Sequence, residues 1–260
     1  IFSSVSKKYF IKKIFYNVAL NFCNLERHVI LASYPKTGCT YVHYLINNLI
    51  TNESRRYHHF FSSFIESPDL DMLPIYKVNP LLNSYTEKPL LIKTHNEYHK
   101  SFQRVICLTR EPVSTLVSYY NYKVSYHNKS FKNFKSFLLN TDAIIQYKNF
   151  YKSFLNSRIS SRIVFLDYED AKNNSQVIKD IIKLIYGLDL DLDIIDKVRE
   201  NCSKQKAKEL ELLNSKYDMR VNIRGIKFIN NKKYLKNPIQ NDVDYINSKL
   251  RRIYNQVNCF

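Results

Sequence analysis

The chain of 260 residues carries 40 Lys and Arg against 23 Asp and Glu, a formal net charge of +17, and 45% of its residues are hydrophobic. That apolar fraction supports a real core and argues against global disorder, while the length suits one α/β domain better than two small ones. The charge favours anionic partners (nucleotides, nucleic acid, anionic glycans, a membrane surface) without choosing among them.

Cys23, Cys39, Cys107, Cys202 and Cys259 are scattered, with no C-x-x-C pair. The spacing points away from a zinc knuckle or a disulfide framework and toward a reducing, cytoplasmic compartment. No run of 18 apolar residues occurs, so no transmembrane helix is expected.

Along the chain, residues 1–27 form a basic amphipathic opening, "SKKYFIKKIFYNVALNF" over positions 6–22. It suits a helix packed on the domain, or a peripheral membrane contact. "HVILASY" then reads as a short buried strand, and "TYVHYLINNLI" carries apolar positions at helical spacing. "PLLIKTH" (Pro89 to His95) is a second strand and "RVICLTR" (Arg104 to Arg110) a third. Glu111-Pro112 opens a helix after it, because proline suits the first helical turn. "RIVFLDYED" (Arg162 to Asp170) is a fourth strand, followed by a helix, "NSQVIKDIIKLIYG", that Gly187 can cap. Strands alternating with helices predict the α/β class, with a central parallel sheet flanked by helices. Residues 52–88 and 120–160 read as longer insertions, the usual place for substrate-binding segments.

In such a sheet, ligands bind beyond the carboxyl ends of the strands. Lys36, His95, Arg110 and Tyr168 each fall at one of those ends. The turn "YPKTGCTY" after the first strand holds Gly38, one of only three glycines. Gly38 permits a tight turn, and the amides opening the next helix lack intrahelical partners. With hydroxyls from Thr37 and Thr40 and the charge of Lys36, this is a phosphate cradle on chemical grounds. It is not a Walker loop, which would place Gly at 33 and Lys at 39, where Ser33 and Cys39 stand. Magnesium-dependent hydrolysis of ATP or GTP is therefore disfavoured.

The same turn resembles the 5′-phosphosulfate loop of the sulfotransferases that use 3′-phosphoadenosine 5′-phosphosulfate (PAPS), Y-P-K-[ST]-G-[TS]-[TS]-[WLF]. The likeness continues in order through "LLIKTH", "TREPVSTLVSYYNY" and "VFLDYED", spanning roughly residues 29–170. It implies a P-loop-like three-layer α/β sandwich filling a single domain over 1–260. In that domain residues 29–170 are the cofactor-binding core, and 171–260 supply C-terminal helices and a cofactor-covering loop. It implies sulfuryl transfer from PAPS to an acceptor hydroxyl or amine, with 3′-phosphoadenosine 5′-phosphate (PAP) as product and no metal.

Residue by residue, the resemblance implies that Lys36 stabilises the departing phosphate, and that Thr37, Gly38, Cys39 and Thr40 bind the 5′-phosphate. Arg110 and Ser118 hold the 3′-phosphate. Tyr41 stacks near the adenine in place of the more common Trp, with Tyr168 at the base edge. Lys93 assists the sulfuryl group, and His95 is the general base. Arg224 and Gly225 in "NIRGIKFINNKKYLK" correspond to the covering loop, which here lacks the family's second glycine and tryptophan. The catalytic histidine also stands on chemistry, since an imidazole with an unperturbed pKa of ~6.5 is available neutral near pH 7.

The acceptor stays open. A small alcohol, phenol or amine fits the K-T-H pattern, and an aromatic pocket from Tyr119, Tyr120 and Tyr122 suits a planar one. A glycan or a lipid is the alternative. Two other function classes remain as well: a magnesium-dependent P-loop nucleotide kinase, and a non-catalytic basic protein binding nucleic acid or membrane. The second has only the charge behind it, with no nucleic-acid fold signature.

Overall fold

The computed structural model describes residues 25–51, 89–127, 131–157, 162–203, 205–206 and 235–259. The basic opening at 6–22, the insertion at 52–88, and Arg224 and Gly225 lie outside the described residues.

Four strands form one parallel sheet: β1 (Val29–Ser33), β2 (Leu91–Thr94), β3 (Arg104–Thr109) and β4 (Arg162–Asp167), in the spatial order β2-β1-β3-β4. Side chains alternate between the faces of a strand, so each strand feeds two cores. Ile30, Ala32, Ile92, Val105, Cys107, Ile163 and Phe165 enter one cluster. Val29, Leu31, Leu91, Ile106, Leu108 and Leu166 enter the other. A sheet buried on both faces explains why its strands read as continuous apolar runs.

Helices cover both faces, giving the expected three layers. On the face of the second cluster lie α1 (Cys39–Thr51), α5 (Tyr168–Asn173), α6 (Ser175–Tyr186) and α7 (Leu192–Asn201). The other face carries α2 (Pro112–His127), α3 (Phe134–Asn140), α4 (Ala143–Asn156) and the C-terminal α8 (Gln240–Asn258). Helix α6 shows how locally this is determined. Ile178, Ile181, Ile182 and Ile185 make its buried stripe, and the Asn174 side chain accepts from the amides of Gln176 and Val177. Gly187 ends it at φ 73°, in the left-handed region.

The expectation of an insertion over 120–160 is corrected. Helices α2, α3 and α4 occupy most of it, and Tyr147, Phe150, Tyr151 and Phe154 are buried core. The physical reason lies at β3. The hydroxyls of Tyr147 and Tyr151, one helical turn apart on α4, donate to the carbonyls of Arg110 (3.0 Å) and Leu108 (2.9 Å). These bonds tie the helix to the strand end.

The connection from β1 to β2 runs to one side of the sheet, and β3 returns on the other side of β1. The crevice at the carboxyl ends of β1 and β3 is therefore the topological switch point, where open α/β sheets bind ligands.

Candidate active site

The turn after β1 is built to hold a strained backbone. Lys36 sits at φ 72° and Gly38 at φ 98°, both positive. For lysine that conformation costs on the order of 1–2 kcal/mol and persists only where surrounding contacts impose it. Two such contacts are present. Thr37 Oγ1 donates to the Tyr34 carbonyl at 2.9 Å, and Arg110 Nη1 donates to the Lys36 carbonyl at 3.3 Å. The Tyr34 hydroxyl anchors the entry to the turn by donating to the Ala143 carbonyl at 3.0 Å. The Thr37 side chain is thus wholly buried and committed to closing the turn rather than offering a hydroxyl outward. Helix α1 begins at Cys39, with the Gly38 carbonyl accepting from the amides of Tyr41 (3.0 Å) and Val42 (3.3 Å), so the positive end of the helix dipole opens at this turn.

Arg110 follows β3 and faces this turn. Its Cζ lies 4.8 Å from the centroid of the Tyr168 ring, which follows β4. Tyr168 in turn meets Tyr41 edge-on, centroids 6.0 Å apart. The Tyr168 ring lies where a Cβ on residue 38 would stand, so the turn accepts only glycine there. Arg110 has no carboxylate partner among the described residues. The neighbouring Glu111 carboxylate is spent capping α2, where it accepts from the amides of Val113 (2.9 Å) and Ser114 (2.7 Å). Arg110 Nε is buried without a hydrogen-bond partner.

The Lys36 ammonium lies 4.7 Å from the centroid of Tyr122 on α2. Burial of the ammonium, and then the charges of Lys93 and Arg110, hold it below the usual lysine range, although the residue as a whole keeps considerable exposure. Three cations therefore converge on one crevice and repel one another. Ser118 is half-buried on α2, one turn before Tyr122, and so shares the helix face that Lys36 covers.

His95 is one residue beyond the β1–β2 pairing of Ala32 with Thr94. Its Nδ1 is 2.7 Å from the Ser33 carbonyl oxygen and 3.1 Å from Ser33 Oγ. A carbonyl only accepts, so the proton resides on Nδ1 and the lone pair on Nε2. Strand β1 thus fixes both the orientation and the tautomer of the histidine.

The structure brings together Lys36, Gly38, Tyr41, Lys93, Arg110 and Tyr168, with His95 at the adjacent strand end. Of the expected aromatic pocket, Tyr119 packs edge-on against Tyr34 and Phe137, and Tyr120 against Phe134 and Phe137, so both lean on the core while staying partly exposed. Tyr122 faces the crevice.

A network that sequence reasoning missed ties the last helix to the same strand ends. Asp167 Oδ2 accepts from the Tyr254 hydroxyl (3.1 Å) and Asn258 Nδ2 (3.3 Å), while Thr109 Oγ1 donates to Asn258 Oδ1 at 2.7 Å. These partners lie about ninety and a hundred and fifty residues apart along the chain, and no local pattern joins them.

Comparison with known proteins bears on this crevice. A family model described as "Sulfotransferase domain" matches residues 26–256. Among characterised relatives, canine Sulfotransferase 1B1 is 24% identical over 224 residues, covering 77% of this chain and 75% of the relative. Rat Sulfotransferase 1E1 is 25% identical over 197 residues, covering 69% and 65%. Among solved structures, mouse sulfotransferase SULT7A1 complexed with PAP superposes with a TM-score of 0.63 at 17% identity, covering 94% of this chain and 93% of that one. Retinol dehydratase, solved with androsterone and the inactive cofactor PAP, superposes with a TM-score of 0.56 at 18% identity, covering 93% and 83%. At these identities the superpositions show a shared fold.

Proposed function

The chain belongs to the sulfotransferase domain family, and on that premise we propose that the crevice at the switch point binds PAPS, with transfer of its sulfuryl group to an acceptor hydroxyl or amine. The observation that carries the reading is the convergence of Lys36, Lys93 and Arg110 beside the N-terminus of α1, with no carboxylate paired to Lys36 or Arg110 among the described residues. A polyanion answers each feature. It offsets the burial and the repulsion that depress Lys36, supplies the counter-charge that Arg110 lacks, and lies at the positive end of the α1 dipole. The residues present fit a nucleotide bearing both 5′-phosphosulfate and 3′-phosphate.

In this reading the turn amides from Gly38 to Thr40 hold the 5′-phosphate, with the Thr37 hydroxyl keeping the turn shut. Arg110 holds the 3′-phosphate with Ser118, and the Tyr41–Tyr168 pair bounds the base. Bound PAPS supplies an electrophilic sulfur whose bond to the 5′-phosphate oxygen breaks as the acceptor oxygen or nitrogen bonds to it. Lys36 then stabilises the negative charge left on that phosphate, and Lys93 the sulfuryl oxygens; transfers of this kind depend mostly on positioning and on such charge stabilisation. His95 takes the acceptor's proton at Nε2, and the resulting imidazolium keeps its Nδ1–H on the Ser33 carbonyl.

The acceptor is a small molecule in this reading. Retinol dehydratase, a structural neighbour, has been solved with retinol and with androsterone, both bearing an alcohol. Tyr122, beside Lys36, supplies one aromatic wall. Family membership displaces the kinase and nucleic-acid alternatives. The test is to incubate the protein with PAPS and a panel of phenols, alcohols and amines, and to follow PAP release. Acceptor-dependent release by wild type and none by His95→Asn supports the assignment. Acceptor-independent release, equal in both proteins, overturns it.

A further inference from the structure

Asn258 lies on the last turn of α8, with its side chain at the carboxyl ends of β3 and β4. Its Oδ1 accepts from Thr109 Oγ1 at 2.7 Å, and its Nδ2 donates to Asp167 Oδ2 at 3.3 Å. Thr109 and Asp167 are the final register pair of the β3–β4 ladder. One amide therefore spans the two strands at the point where their pairing stops. Thr109 Oγ1 also lies 3.3 Å from Asp167 Oδ2, but its single proton goes to the nearer Asn258 oxygen. Tyr254, one turn earlier on the same helix face, donates its hydroxyl to Asp167 Oδ2 at 3.1 Å. The other carboxylate oxygen accepts from the Glu169 amide at 2.8 Å.

The residue after each member of this pair belongs to the crevice. Arg110 follows Thr109 and Tyr168 follows Asp167, and the guanidinium carbon lies 4.8 Å from the centroid of the ring. The ladder ends one residue earlier, so the spacing of Arg110 and Tyr168 is inherited from the clamped pair. Both residues reach the phosphate turn. Arg110 Nη1 donates to the Lys36 carbonyl at 3.3 Å, and the Tyr168 ring fills the space beside Gly38. The Arg110 carbonyl accepts from Tyr147, which holds the end of β3 to α4 but not to β4.

We propose that Asn258 is a positioning residue for cofactor binding. By joining Thr109 to Asp167 it sets the spacing of the β3 and β4 ends, and through them the placement of Arg110 against Tyr168. This rests on the reading that Arg110 receives the 3′-phosphate of PAPS. An amide suits the task because it accepts from the hydroxyl on one side and donates to the carboxylate on the other. Leucine does neither, and an aspartate at this position does both only when protonated.

The experiment is calorimetric titration with PAP of wild type, Asn258→Leu, Asn258→Asp and Thr109→Val, with Asn258→Leu also combined with Arg110→Ala. Asn258→Leu should bind about fivefold more weakly, the effect of losing one network hydrogen-bond pair. It should cost no further affinity once Arg110 is alanine, because it acts through Arg110. Asn258→Asp sets two carboxyl groups side by side, which raises the pKa of the pair. Its deficit relative to wild type should be full at about pH 8 and shrink at about pH 5, where a shared proton restores the clamp. Wild-type affinity in Asn258→Leu overturns the assignment. So does a loss that adds in full to that of Arg110→Ala, or an Asn258→Asp deficit that acid leaves unchanged; each makes the contact structural only. Thr109→Val opens the same bridge from the strand side, and carries the test if Asn258→Leu does not fold. Wild type that binds no PAP overturns the PAPS reading, and the role of Asn258 falls with it.

Discussion

The ring of Tyr168 occupies the space beside Gly38 that any side chain at that position would need. One residue emerges after β1 and the other after β4, so the cradle and its aromatic wall are built as a unit. Gly38→Ala adds a Cβ where the ring stands, at a φ of 98° that alanine adopts only under strain. It should weaken PAP binding by at least about 2 kcal/mol, more than tenfold. In a double-mutant cycle with Tyr168→Ala the combined loss should be smaller than the sum, because the second change removes the collision. Strict additivity would show that the two residues do not act together.

Lys36 gives the site a pH dependence of defined sign. In the free protein, burial and the charges of Lys93 and Arg110 hold its ammonium below the ordinary lysine range. A bound polyanion favours the charged form, so the complex keeps a proton that the free protein releases. Affinity for PAP should therefore fall as pH rises through the depressed pKa, beginning below the unperturbed value of ~10.4. The linkage to folding has the opposite sense. The folded state is penalised while Lys36 is charged, and the penalty lifts as pH rises through the same pKa. Calorimetry across the alkaline range should give a shallower slope for Lys36→Met, and an unchanged slope would assign the titration to another group.

His95 is held by Ser33 at the end of β1 rather than by the cation cluster. His95→Asn should therefore lower kcat by about 10²–10⁴-fold while leaving PAP affinity essentially unchanged. Stopped turnover with intact binding separates proton transfer from cofactor binding. A parallel loss of affinity would make His95 a structural residue.

Much of this arrangement is legible in the sequence because it is local. The runs at 28–34, 89–95, 104–110 and 162–170 read as strands, since a sheet covered on both faces needs continuous apolar residues. Residues at strand ends then follow from counting, and so does Gly187 as the cap of α6. What stays hidden is what depends on partners far along the chain. That Phe134 and Phe137 pack on Tyr119 and Tyr120 is one such relation. The Thr37 hydroxyl reads as a phosphate donor until Tyr34 is seen to take it. The Asp167–Tyr254–Asn258 network carries no periodic signal at all.

The most direct test of the central claim is calorimetric titration of wild type and Arg110→Ala with PAP in the presence of a metal chelator. The account predicts binding by wild type and a loss of roughly 1.5–3 kcal/mol, or one to two decades, in Arg110→Ala. Folded wild type that fails to bind, or Arg110→Ala that binds as wild type does, would contradict it.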